Sequence, residues 1–136
     1  MLLEDTFTNI IVQNPNKPNQ ELFLMIENGV LDQKAYASPN EWSAILVEAE
    51  RDEAQLLSRY DMVVHMVTAA DGAMSYFDHL NTSETSATQC IELDRALRKA
   101  YMYHPNFYII GNTSVKNFSE KISMVKNYVL NKVFDY

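Results

Sequence analysis

RYDMVVHMVTAADGA, residues Arg59–Ala73, decides how this chain is read. Asp61–Thr68, a mostly apolar run, has the length of a single strand, and Ala69–Gly72 after it predicts a tight loop. A strand with no polar alternation is buried on both faces. That is the pattern of a parallel sheet covered by helices, whose loops at the strands' carboxyl ends meet ligands.

Downstream, Met74 to Thr85 shows no steady period and is rich in polar and aromatic residues, which reads as a lid. Ser86 and Gln89 have capping-box spacing, and Ile91, Leu97, Ala100 and Tyr101 carry a helix to the His104-Pro105 stop. Phe107 to Gly111 is the next strand. Asn117 and Glu120 cap a last helix whose stripe Phe118, Ile122, Val125, Val129 and Val133 predicts a core face.

Upstream, Ser38-Pro39-Asn40-Glu41 is a capping box with proline at the first helical position. Trp42, Ile45 and Leu46 give this helix a face, and it is expected over Pro39–Ser58 with a break near Arg51. Glu21–Ile26, closed by Glu27-Asn28-Gly29, reads as a further buried strand. Asn14–Gln20, NPNKPNQ, is a turn-rich connector, and Leu2, Leu3, Thr6, Phe7, Ile10 and Ile11 form a helical stripe before it. The order α-β-α-β-α-β-α predicts one α/β domain over residues 1–136, with about three parallel strands and flanking helices.

Composition narrows the function. A net charge of −7 disfavours nucleic acid and anionic membrane surfaces, which are held by clustered Lys and Arg. No run approaches the length of a membrane span. The single cysteine, Cys90, cannot form an internal disulfide, so an intracellular, reducing compartment is expected, with cytoplasm, cilium and mitochondrion left open. The opening MLLEDTFTNIIVQ has two acids and no arginine, unlike a secretory or transit leader. At 47% apolar residues the chain can build a core.

Four blocks, LDQKAYAS at Leu31–Ser38, Arg59–Ala73, ELDRAL at Glu92–Leu97 and HPNFYIIGN at His104–Asn112, resemble in order the later part of an AAA-type P-loop NTPase or kinase-like domain. The family in question includes the TRPL translocation defect protein. The resemblance implies a three-layer P-loop kinase-like fold, truncated here. Relatives carry Asp-Arg-Gly where this chain has Glu27-Asn28-Gly29, and a lid arginine where it has Ser83 and Thr85. No glycine-rich phosphate loop occurs anywhere in the sequence.

Phosphoryl transfer relies on backbone N–H groups, a P-loop lysine, Mg²⁺ and arginines to neutralise the transferring oxygens. What the resemblance implies is therefore a catalytically inactive remnant with no catalytic residue, no cofactor and no metal, acting as a structural or interaction subunit of a larger protein assembly. The family's central strand would come from sequence ahead of Met1, so the flanking strands are expected to pair directly, to leave backbone groups unsatisfied, or to accept a strand from another chain of an assembly. The alternative is the C-terminal half of an ATP- or GTP-binding protein with Mg²⁺, in which Glu27 and Asp71 belong to a composite site.

Read without the family, Glu27 is a solvated loop carboxylate, and Asp71-Gly72 is either a ligand contact at the sheet's carboxyl edge or a turn. His65 is a hydrogen-bonded core histidine, Cys90 a small buried residue, and His79 and His104 carry no chemistry. Eight tyrosines suit protein contacts.

Overall fold

The computed structural model describes residues 2–14, 22–80 and 85–134. They fall into two compact units, residues 1–30 and 31–136.

In the first unit, α1 spans Leu2–Gln13, with Glu4 and Asp5 in the first turn where carboxylates oppose the helix dipole favourably. Asn14 closes it, its side-chain amide donating to Ile10 O at 2.7 Å. Leu3, Phe7, Ile10 and Val12 are exposed. Among the described residues the expected strand over Glu21–Ile26 is not formed: residues 22–26 are irregular, and Glu21 with most of the Asn14–Gln20 connector lies outside the described residues. Apolar sequence is insufficient for a strand, because extended backbone becomes a strand only by pairing. Leu22, Phe23 and Met25 are accordingly exposed. Asn28 turns the chain with φ 59°, a left-handed conformation that asparagine tolerates better than most residues.

The second unit begins with a short 3₁₀ turn and α2 (Gln33–Tyr36), which the sequence reading did not separate from its surroundings. α3 (Pro39–Glu48) and α4 (Glu53–Leu57) replace the single expected helix, with the break at Arg51 as anticipated. The break is a Schellman turn. Arg51 N donates to Leu46 O and Glu50 N to Val47 O, with Glu50 at φ 51° where glycine is the usual occupant. Asp52 and Gln55 then form a capping box that restarts the chain as α4. Buried Trp42 donates its indole N–H to Glu53 at 2.7 Å, and Lys34 pairs with the same carboxylate, so one side chain ties α2, α3 and α4 together.

Strand β1 (Val63–Met66) pairs in parallel with β2 (Phe107–Ile110), Val63 opposite Phe107 and Met66 opposite Ile110. Between them run α5 (Met74–Leu80) and α6 (Ala87–Tyr101), the latter opened by the expected Ser86–Gln89 box. The proposed lid is thus helical over its first seven residues, two turns being too short to display a period. Residues 81–84, including Ser83, lie outside the described residues.

Alternation along the strands puts His65 and Phe107 on one face, where α6 meets them through Asp94 and Tyr101. Tyr108 is on the other face, stacked at 4.3 Å on Tyr128 of α7 (Phe118–Phe134). Helices therefore cover both faces. Leu31, Leu56 and Ile110 are the most deeply buried side chains, and Trp42, Val67, Ala100 and Tyr101 are buried as well.

The α7 stripe differs from expectation at its start. Phe118 and Ile122 are exposed while Lys121 is buried, because the helix meets the sheet along a face running through Lys121 and Tyr128.

Candidate functional site at the carboxyl edge of the sheet

The loop after β1, residues 67–73, and the loop after β2, residues 111–117, form the edge where α/β sheets hold ligands. Small residues let the first loop turn sharply. Gly72 adopts φ 91°, and a Cβ there would sit 3.5 Å from Asn112 Cβ, so the second loop packs directly on it. Asn112 locks the pair: its amide nitrogen donates to the carbonyls of both Thr68 and Asp71.

Beneath these loops lies a charged cluster. Asp94 of α6 is 5% exposed, and its Oδ1 accepts the Thr68 N–H at 2.8 Å and meets His65 Nε2 at 2.9 Å. Because a carboxylate only accepts, His65 carries its hydrogen on Nε2. Arg98 Nη2 is 2.8 Å from Asp94 Oδ2, one helical turn on, yet at an angle that makes no hydrogen bond. Lys121 of α7, also 5% exposed, donates to Val67 O at 2.7 Å. Burial pushes the Lys121 ammonium below its usual range, and the nearby Asp94 charge partly opposes that.

Chemically this is a closed network. Asp94 pairs with Arg98, and Lys121, near the Asp94 charge, is held by a carbonyl of the protein itself. Asp71 is the exposed member, its carboxylate 3.8 Å from Arg98 Nη2.

Glu27 belongs to the first unit and is exposed. His65 is the hydrogen-bonded core histidine that the sequence suggests. His104 is likewise structural: Nε2 donates to Tyr60 O at 2.7 Å and Nδ1 accepts from Asn106 N–H, so both ring nitrogens hold backbone between the two strand starts. Cys90 is a half-buried free thiol on α6, and the side chain of His79 lies outside the described residues. Arg98, Lys121 and Asn112 escape sequence reasoning. An Asp-x-x-x-Arg pair on a helix ordinarily marks a solvated ion pair, and a lysine beside an apolar stripe marks its polar border.

At the opposite end of the sheet, Leu57, Tyr60, Asp61, Tyr103, His104 and Lys132 line an open hollow of about 480 Å³. Its one imidazole is committed to backbone. Among the described residues no group of three or more His, Cys, Asp or Glu could hold a metal ion, and no helix is long and apolar enough to cross a membrane.

No family model matches the chain, and no curated protein or solved structure matches it.

Proposed function

We propose that this chain is a catalytically inactive, P-loop kinase-like α/β domain serving as a structural and interaction subunit of a larger intracellular protein assembly. The observation that carries the reading is the state of the cations at the ligand edge. Lys121 is buried against Val67 O, and Arg98 is drawn to Asp94. A phosphate would have to displace these internal partners, and a buried polar group left without its partner costs about 1–3 kcal/mol.

Two further features support it. Apolar side chains are left exposed on α1 at Leu3, Phe7 and Ile10, on the extended segment at Phe23 and Met25, and on α7 at Phe118 and Ile122. Surfaces of this kind mark contacts with other proteins. Among the described residues the sheet has two strands, and in the assembled form a partner chain adds to it.

The test is native mass spectrometry of the chain drawn from its own cells, alongside ATP and GTP turnover by the purified chain. A stoichiometric complex without turnover is expected. Nucleotide hydrolysis abolished by Glu27→Gln or Asp71→Asn would instead establish the nucleotide-binding alternative.

A further inference from the structure

We propose that His104 is a proton-operated latch at the amino end of the sheet: when its imidazole takes up a second proton, the starts of β1 and β2 are released from each other.

The partners of the ring fix its proton. Tyr60 O is a carbonyl and only accepts, so Nε2, 2.7 Å away, carries a hydrogen. The Asn106 backbone N–H only donates, so Nδ1, 3.1 Å away, presents a lone pair. Neutral imidazole with its hydrogen on Nε2 satisfies both partners. Imidazolium has two donors and no acceptor, so it satisfies only the first and sets two N–H groups against each other at Nδ1. His104 is 5% exposed, which leaves little solvent to take the displaced amide.

What the latch holds follows from the bonds around it. The His104 N–H reaches Tyr101 O at 2.9 Å, tying the residue to the end of α6. Asn106 is gripped three times: its N–H by His104, its carbonyl by Val63 N at 3.0 Å, and its side-chain amide by Asp61 O at 2.9 Å. Losing the first grip loosens the residue that makes the other two. His65 behaves differently, because it gives its Nε2 hydrogen to the Asp94 carboxylate and imidazolium keeps that bond.

His104 borders the hollow at this end of the sheet. Of the elements around it, the approach to β1 supplies Tyr60 and Asp61, the end of α6 supplies Tyr103, α7 supplies Lys132, and α4 supplies no charged side chain. The carboxylate and the ammonium act on the ring in opposite senses, and neither relieves the opposed N–H groups at Nδ1. The open form therefore binds one proton more than the latched form, and acidification favours opening by up to about tenfold per pH unit.

Nitrogen-15 NMR of the His104 ring and amide exchange of the full chain test this at about pH 8 and about pH 5.5, either side of the ordinary histidine value of about 6.5. Exchange is expressed as protection relative to an unstructured chain at the same pH. At the higher pH the ring is expected to carry its proton on Nε2 alone. At the lower pH both nitrogens carry one, and protection at Val63 and Asn106 falls about tenfold or more, while Val67, bonded to Ile110 O at the far end of the ladder, stays within about twofold. His104→Gln has no titrating ring and is expected to abolish the pH dependence at Val63 and Asn106. A neutral ring protonated on Nδ1, an equal fall at Val67, protection at Val63 and Asn106 that ignores pH, or a pH dependence that survives in His104→Gln each overturns the latch. The first three are read on the unsubstituted chain, so they decide the matter even where the variant does not fold.

Discussion

Replacing Asp94 with alanine should be among the most damaging single substitutions in the described residues. Three groups lose their partner at once: the Thr68 N–H, His65 Nε2 and the Arg98 guanidinium. An orphaned backbone N–H costs about 1–3 kcal/mol. Breaking a buried pair while the opposite charge stays costs about 3–5 kcal/mol. These effects overlap, because the groups form one network, so the expected total is about 3–5 kcal/mol rather than their sum. Domains of this size are stable by about 5–15 kcal/mol, so much of the folding free energy would go. Asp94→Asn keeps one acceptor and should lose roughly half as much. Urea unfolding followed by far-ultraviolet circular dichroism measures both variants. A double-mutant cycle with Lys121→Met should give a coupling of about 0.5–3 kcal/mol, the second substitution costing less once the carboxylate is gone. A loss below about 1 kcal/mol for Asp94→Ala, or a coupling near zero, would refute the view that this cluster is a committed internal network.

Other expectations follow from single residues. Glu50→Gly should raise stability by about 1 kcal/mol in urea unfolding, since Glu50 holds the left-handed position at the end of α3. Lys121 has a folded-state pKa below its ordinary 10.5. Between the folded value and 10.5 the unfolded chain binds the extra proton, so stability should climb with pH across that window and the climb should flatten in Lys121→Met. For Glu53 the shift is also downward, the Lys34 pair outweighing its desolvation. Its contribution is present above the ordinary 4.5 and is lost as pH falls through the folded value; because the pair is about one-third exposed, acid titration of stability should separate wild type from Glu53→Gln by under about 1 kcal/mol.

Local chemistry in the sequence was readable where it acts locally. The Ser38 and Ser86 helix starts use side chains that reach only three residues ahead, so their spacing carries the whole signal. Although periodicity located β1, it also suggested a strand over Glu21–Ile26, because an apolar run reports burial propensity and not the existence of a neighbour to pair with. The cluster at the carboxyl edge was least visible. Asp94 stood inside ELDRAL as an ordinary helical acid, and its partners His65 and Thr68 are 29 and 26 residues away. The α7 stripe misplaced Phe118 and Ile122 for a related reason: hydrophobic spacing finds a face, but the helix rolled toward the sheet to bring Lys121 onto Val67.

That last contact also orders the birth of the domain. Val67 and Lys121 are 54 residues apart, and β2 is made 44 residues after β1. As the chain leaves the ribosome, β1 emerges with neither its ladder partner nor the ammonium that closes its last carbonyl, and α6 follows carrying Asp94 with no Lys121 to balance it. The helices with local caps can form early, whereas the sheet waits for α7. Throughout that interval β1 is a nascent apolar strand without the ladder it later shares with β2, the form in which chaperones would first meet it.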